Sequence, residues 1–208
     1  MISPINVRRM NSEELFEFMD MFKLNNKTAT ISFPSVITYG NGNIYKGEIL
    51  IQSNTPNGYG FMNYTNGDWF ASKWTNNLAN GSGIYIYANG TDVRGTWNNG
   101  KLQSIKCKIQ YYNGDVYNGP YKNDTLYGIG TFWRKEDGEL FHGKFVDGNR
   151  CGYGISKWPN GSIYDGNWRN DTFDGEGTLI TPTRTYYGPW LEGAQNADGC
   201  PETVFLKS

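Results

Sequence analysis

The sequence predicts an all-β protein: an elongated, single twisted antiparallel sheet of about seven β-hairpins, with a short N-terminal helix. Three observations predict it. A pattern of the form G-x-x-aromatic-x-G-x-aromatic recurs along the chain, a G-x-G follows most copies, and Asn-Gly or an equivalent turn separates the two parts. The composition agrees, because 27 glycines and 16% aromatic residues suit strands joined by tight turns better than long helices.

The repeated pattern has seven copies. Six of them read GNIYKGEI, GDWFASKW, GTDVRGTW, GDVYNGPY, GELFHGKF and GSIYDGNW, and the seventh, TRTYYGPW, lacks the first glycine. The second glycine position falls at Gly47, Ser72, Gly95, Gly119, Gly143, Gly166 and Gly188, so the period is close to 23 residues. The G-x-G element begins at Gly58, Gly81, Gly128, Gly152 and Gly175. We align Ser104-Ile105-Lys106 with it in the third copy, and the seventh copy keeps only Gly199.

Turn chemistry predicts the pairing of the strands. Pro159-Asn160-Gly161 separates two apolar runs, and Asn-Gly in that place is a strong hairpin signal. A two-residue turn would put the G-x-G on the face opposite the aromatic residues. A three-residue loop with a left-handed glycine instead pairs Gly154 with Gly166 and Gly152 with Trp168. We prefer this register because a tryptophan ring can then lie over a bare glycine on the next strand.

These segments resemble the MORN (membrane occupation and recognition nexus) repeat family over roughly residues 39–199. We therefore divide the chain into an N-terminal segment (1–38), a MORN repeat array (39–199) and a C-terminal tail (200–208). The resemblance implies a scaffold or adaptor of cytoskeletal and ciliary assemblies that binds other proteins. Some family members carry a lipid-kinase or methyltransferase domain, but about 38 residues before the repeats are too few for one.

The N-terminal segment predicts one short helix. Asn11 is a suitable N-cap with Glu14 three residues on, and apolar residues continue to Leu24. The helix is expected to cap the sheet; a docking helix or a degenerate F-box-like element are the alternatives. At the other end, Val204, Phe205 and Leu206 are candidates for closing the last hairpin.

No catalytic constellation is visible, so we expect no enzyme, no cofactor, no metal site and no small-molecule substrate. His142 is the single histidine, and strand parity puts it opposite the aromatic row. Asp171 and Asp174 are interpreted as turn formers. A net charge of -1 argues against nucleic acid. Three separated cysteines, no secretory signal and no long apolar run favour a cytoplasmic protein.

Two binding hypotheses remain. In the first, a partner protein places a peptide or helix in an aromatic groove, with candidate contacts Tyr64, Tyr87, Tyr112, Trp133 and Trp158. These rings would equally serve as packing between repeats. In the second, the chain is a peripheral membrane module that binds acidic phospholipid through Arg94, Lys101, Lys106 and Lys108, although a solvated face explains this cluster as well. A third role is an architectural subunit of a large assembly such as an axoneme or virus particle.

Overall fold

A computed structural model describes residues 31–195 and 202–204, which form one antiparallel sheet. Strands that follow each other in the chain pair with each other, as the sequence predicts, except that β7 and β8 both pair with β6, β10 and β11 with β9, and β17 and β18 with β16. The strands are β1 (Ile31–Thr38), β2 (Ile44–Leu50), β3 (Thr55–Asn63), β4 (Trp69–Thr75), β5 (Leu78–Ile86), β6 (Asp92–Asn98), β7 (Lys101–Leu102), β8 (Ser104–Gln110), β9 (Val116–Lys122), β10 (Thr125–Leu126), β11 (Gly128–Trp133), β12 (Leu140–Val146), β13 (Asn149–Lys157), β14 (Ile163–Arg169), β15 (Thr172–Ile180), β16 (Thr185–Leu191), β17 (Ala194–Gln195) and β18 (Glu202–Val204).

The predicted three-residue loop is confirmed. In the loop after β13, the Trp158 N–H donates to the Ser162 carbonyl, and the left-handed Gly161 donates to the Trp158 carbonyl. The Asn160 side chain accepts from the Ser162 N–H at 2.9 Å, which fixes the turn. The same arrangement recurs in the loops at 40–42, 65–67, 88–90 and 112–114.

The opposite edge of the sheet uses two-residue turns. Both central residues of each turn have positive φ, as the right-handed twist of a hairpin favours. Asparagine, aspartate and glycine supply nearly all of them, because these residues tolerate the left-handed region. The turns are Asn76-Asn77, Asn99-Gly100, Asn123-Asp124, Asp147-Gly148, Asn170-Asp171 and Glu192-Gly193.

The predicted register is also confirmed, because Gly154 pairs with Gly166 and Gly152 pairs with Trp168. The expectation that a tryptophan ring lies over Gly152 is wrong. A β-carbon on Gly152 would meet the Lys144 side chain, and no ring atom lies closer. Gly152 has a φ of 87° where β13 bulges against β12, so this glycine is required by its backbone conformation.

The bare second glycine lies under the first aromatic ring of its repeat. We define the first face of the sheet as the one that carries these rings. Tyr164 covers Gly166 on its own strand and Gly177 on the next, and its hydroxyl donates to the Asn167 carbonyl at 2.9 Å. Tyr45, Tyr117 and Phe141 occupy equivalent positions, and all four rings are buried.

The second aromatic residue of a repeat, most often a tryptophan, contacts the ring of the repeat before it. Trp168 contacts Phe141 edge-on with ring centroids 5.2 Å apart, and Trp190 contacts Tyr164 in the same way at 5.5 Å. The Trp168 Nε1–H donates to the Gly154 carbonyl at 3.2 Å. Neighbouring repeats therefore share one continuous aromatic layer, as expected of an array stabilised by nearest-neighbour contacts.

A ladder of hydrogen bonds joins the three-residue loops. A side chain in one loop accepts the backbone N–H of the loop in the next repeat. Asp68 accepts from Ala88 at 2.7 Å, and Asp115 accepts from Lys135 at 2.8 Å. Asn43 and Thr91 accept in the same way from the loops that follow them. These hydrogen bonds therefore connect the loops of adjacent repeats.

Ion pairs reinforce the array around the fifth repeat. Glu139 is buried and pairs with Arg134 at 2.7 Å and with Arg150 at 2.8 Å, and it also accepts a hydrogen bond from Ser156. The Arg134 guanidinium holds the pKa of Asp137 below its usual range. Because every charge in this cluster is paired, the cluster stabilises the end of the strands that carries the three-residue loops, which we call the loop edge. It does not form a reactive site.

Strands outside the repeat array lie at both ends of the described chain. The predicted helix at Asn11–Leu24 lies outside the described residues, as do Phe205 and Leu206. The sheet reaches Ile31, where β1 pairs with β2, so a strand precedes the first repeat motif. At the other end β18 pairs with β16, and Val204 lies opposite Thr185.

Replacing Gly166 by alanine tests the ring-over-glycine contact. The new methyl group would collide with the Gly177 Cα on the paired strand and would lie 2.7 Å from the Tyr164 hydroxyl. We expect a loss of about 3 kcal/mol in the free energy of unfolding, measured in urea. Gly40→Ala is the control, since its methyl would meet nothing within 4 Å. An equal effect of both changes would contradict this account of the core.

Alkaline pH should destabilise the fold through its buried tyrosines. Burial raises the pKa of Tyr45, Tyr117 and Tyr164 above the ordinary value of about 10. The folded chain then keeps protons that the unfolded chain releases, so stability is full below about pH 10 and falls as the pH rises further. Each such tyrosine contributes a slope of about 1.4 kcal/mol per pH unit, measured by urea unfolding. Tyr164→Phe should reduce this slope by about 1.4 kcal/mol per pH unit, because it removes one of the buried tyrosines. An unchanged slope would refute the prediction.

Candidate groove on the second face

The face opposite the buried rings, which we call the second face, carries a groove. Its cavity of about 690 Å³ runs across the sheet from β3 to β11. Strand alternation places the lining there, because Ile84 pairs with Arg94 and Arg94 with Lys108 on residues that alternate with the first-face positions. We refer to this site as the second-face groove.

The groove combines apolar and basic side chains. Ala71 and Ile84 lie in its floor, while Ile105 and Ile129 stand at its sides with 79% and 58% of their surfaces exposed. Arg94, Lys106 and Lys108 provide positive charge, and none of the described lining residues is acidic. Such a surface favours a ligand that has both apolar groups and negative charge.

The charges at the groove are mostly uncompensated. Arg94 pairs with Asp92 at 3.1 Å, and both side chains are partly exposed, which makes this a weak surface ion pair. Lys106 and Lys108 are exposed and make no ion pair with any residue in the described ranges. Their ammonium groups are therefore available to an anionic ligand.

Three of the four lysine and arginine residues predicted to bind lipid meet in this groove. Arg94, Lys106 and Lys108 line it, whereas Lys101 on β7 does not. Sequence proximity indicated the cluster, and strand pairing brings Arg94 opposite Lys108.

None of the five aromatic candidates lines the groove, because all of them lie at the loop edge of the sheet. Tyr64 and Trp158 are half-buried and pack against the first-face core. Tyr87 and Trp133 are 44% and 39% exposed, and the Tyr87 ring lies 4.7 Å from that of Tyr85. Tyr112 is the most exposed of the five, at 72%.

The rings at the centre of the expected aromatic groove are buried. Its floor would be the first face, where Tyr45, Tyr117 and Tyr164 have no exposed surface and Phe141 has 1%. The rings of adjacent repeats pack against one another there, so these four rings offer almost no exposed surface to a peptide. The open concave surface lies on the other side of the sheet.

The described lining of the groove contains one thiol side chain, that of Cys107. Burial raises the pKa of the Cys107 thiol to about 12, so this cysteine stays protonated and is a poor nucleophile at neutral pH. His142 lies on the second face as predicted, and its Nδ1 is 3.0 Å from the Thr131 hydroxyl. Asp171 lies in a turn, but Asp174 lies in β15 and pairs with Arg169 at 3.0 Å. Among the described residues, no cluster of histidine, cysteine and carboxylate side chains could hold a metal.

Sequence reasoning missed the apolar part of the groove. Tyr59, Ile84 and Ile129 fill unspecified positions of the repeated pattern, so the repeat does not single them out. Ile105 lies in the irregular third copy, where the G-x-G is lost. One signal was present: residues one step from the aromatic positions point to the opposite face, and several of these residues are aliphatic or aromatic in the first four repeats.

The comparisons with known proteins support the repeat assignment. The MORN repeat profile matches residues 70–92, 141–163 and 164–186, and each match begins at the first aromatic position of a repeat. The chain therefore contains MORN repeats, which indicate a repeat-protein scaffold. No curated protein matches the sequence. No part of the described chain forms a helix with the length and apolar character needed to cross a membrane.

Two solved structures show limited similarity. One is the TCP domain of SAS-4 (dCPAP) of Drosophila melanogaster in complex with a proline-rich motif of Ana2 (dSTIL), at 16% identity, covering 88% of this chain and 96% of that chain, with a TM-score of 0.41. The other is a mutant TCP10 domain of Danio rerio CPAP, at 14% identity, covering 84% and 99%, with a TM-score of 0.19. Neither similarity bears on the partner of this chain.

Alanine substitutions should separate structural from exposed rings at the loop edge. Trp158 is half-buried and packs against the core, so Trp158→Ala should cost about 2–3 kcal/mol in the free energy of unfolding. Tyr112→Ala should change it by less than about 0.5 kcal/mol, because this ring is largely exposed. Chemical denaturation measures both. Equal losses of stability in the two variants would contradict the assignment of Trp158 as a packed ring and Tyr112 as an exposed one.

Proposed function

We propose that this MORN-repeat chain is a non-catalytic scaffold whose second-face groove binds a segment of a partner protein that carries apolar and acidic side chains. The observation that carries the proposal is the composition of the groove: exposed Ile105 and Ile129 beside Lys106 and Lys108, with no acidic residue among the described lining. Apolar surface supplies binding energy and uncompensated positive charge selects the ligand.

The extent of the groove suits a short segment. It crosses seven strand positions, which at about 4.8 Å per strand corresponds to a length of about 29 Å. An extended peptide of about nine residues or a helix of about nineteen residues has that length. The partner therefore needs to contribute one helix or one extended stretch.

Acidic phospholipid is the second candidate ligand. Arg94, Lys106 and Lys108 surround Ile105, and a protruding aliphatic residue among cations is suited to an anionic bilayer surface. Sedimentation with anionic vesicles tests this alternative. Vesicle binding that a peptide ligand fails to displace would assign the cations to lipid and not to a protein partner.

The proposal is tested by selecting peptides from a random displayed library on the full-length chain. We expect the selected peptides to combine acidic with apolar residues and to bind more weakly at high salt. Ile105→Glu should lower the affinity for a selected peptide by about tenfold or more, because it puts a like charge in the groove. Lys106→Glu combined with Lys108→Glu should do the same.

Matched controls lie on the second face outside the groove. Tyr187 is 58% exposed on β16 and Lys157 is exposed on β13, and neither lines the cavity. Tyr187→Glu and Lys157→Glu should leave the affinity unchanged. Selected peptides without acidic residues, or equal losses in the control variants, would show that the groove is not the binding site.

A further inference from the structure

The second face buries an apolar patch beside the basic side chains of the groove. Phe61, Ala71, Ile84 and Ile86 are each at most 9% exposed. The described strands place only Tyr59 and Trp69 against them as partly buried apolar neighbours. A single sheet layer whose first face is already filled needs a second layer to cover such a patch. The described strands all belong to one sheet, so a second layer over this patch would come from another part of the chain or from a partner.

The sequence contains a segment with matching chemistry. Residues 11–24 carry four carboxylates and a single lysine among many apolar side chains. The apolar residues are Leu15, Phe16, Phe18, Met19, Met21, Phe22 and Leu24, and the carboxylates are Glu13, Glu14, Glu17 and Asp20. Apolar side chains suit Phe61 and Ile84, and carboxylates suit Lys106 and Lys108. The segment has the same combination that the groove requires of a partner.

The connection is long enough for this segment to reach the groove. β1 begins at Ile31, and the near end of the groove at Tyr59 lies on β3, two strands or about 10 Å away. Residues 25–30 span up to about 20 Å when extended. If residues 11–24 form the predicted helix, its length of about 21 Å fits within the groove of about 29 Å.

We propose that residues 11–24 are the intramolecular occupant of the second-face groove, and that a partner segment binds by displacing them. This inference rests on the proposed function, since it describes how the same groove is regulated. A tethered segment has an effective concentration in the millimolar range, so it weakens the apparent affinity of every competing ligand. The carboxylates of the segment meet Arg94, Lys106 and Lys108, and the apolar residues cover the patch around Ile84.

Photo-cross-linking in the full-length chain locates the segment. A benzophenone amino acid replaces Ile105 in one variant and Tyr187 in the other, since both side chains are exposed on the second face and only the first lines the groove. We expect mass spectrometry of the monomer to find residues 11–24 attached to position 105 and not to position 187. Absence of the segment at position 105 would overturn the inference, as would its capture only in cross-linked dimers.

Charge reversal tests the regulation. Glu14→Lys combined with Glu17→Lys should repel the segment from Lys106 and Lys108 and raise the affinity of the full-length chain for a selected acidic peptide by about tenfold or more. Glu136→Lys combined with Glu176→Lys is the control with the same change of net charge, because both residues are exposed and neither lines the groove. Its affinity for the peptide should remain that of the unchanged chain.

The two proposals fail in different ways. If acidic peptides bind the unchanged chain and the Glu14→Lys, Glu17→Lys variant equally, the groove binds partners but residues 11–24 do not occupy it. If position 105 captures residues 11–24 while no peptide binds any variant, the segment is a permanent cover and the proposed function is wrong.

Discussion

Four repeats share one contact on which the packing of the array depends, in which an aromatic ring covers two glycines on adjacent strands. Tyr164 over Gly166 and Gly177 is the clearest case. Each glycine in a strand costs roughly 0.5–1 kcal/mol of conformational entropy, and full burial of one large ring contributes about 2–3 kcal/mol. The contact therefore offsets its own cost only when the ring is covered on its other side. Phe173 on the paired strand stacks on Tyr164 with ring centroids 3.6 Å apart, and Trp190 of the next repeat contacts Tyr164 edge-on at 5.5 Å. A single hairpin would lose the contact with Trp190 and would be marginal in water.

The third repeat shows what happens when the ring is missing. Val93 stands at the position of the first aromatic residue, and Cys107 stands opposite Gly119, where other repeats have the second glycine of G-x-G. The smaller valine leaves room for the cysteine side chain, which is buried. Ile105 and Lys106 thus correspond to the first two positions of G-x-G, one residue later than we aligned them from sequence. This irregular strand, broken between β7 and β8, carries Ile105, Lys106 and Lys108 into the second-face groove.

The sequence predicted the hairpin register and the loops because both depend on local chemistry. Asn160-Gly161 selects a three-residue loop, and the loop then determines that Gly154 lies opposite Gly166. The sequence did not predict which ring covers which glycine, or that the ring face would be closed. Alternation along a strand shows which residues share a face, but it contains no information on how far a ring leans toward its neighbours. The abundance of asparagine has a structural reason, since it supplies left-handed turn residues such as Asn76 and side-chain acceptors such as Asn160.

The two faces of the sheet differ in composition, and this difference explains which face can be specific for a ligand. Most repeats place the glycines and rings of the repeated pattern on the first face, so that face varies little along the array. The unspecified positions of the pattern point to the second face and differ from repeat to repeat. Across paired strands one such row reads Phe61, Ala71, Ile84, Arg94, Lys108 and Asn118, changing from apolar to basic to neutral over six strands. A ligand that matches this order binds in one direction and at one position, which a uniform repeat surface cannot enforce.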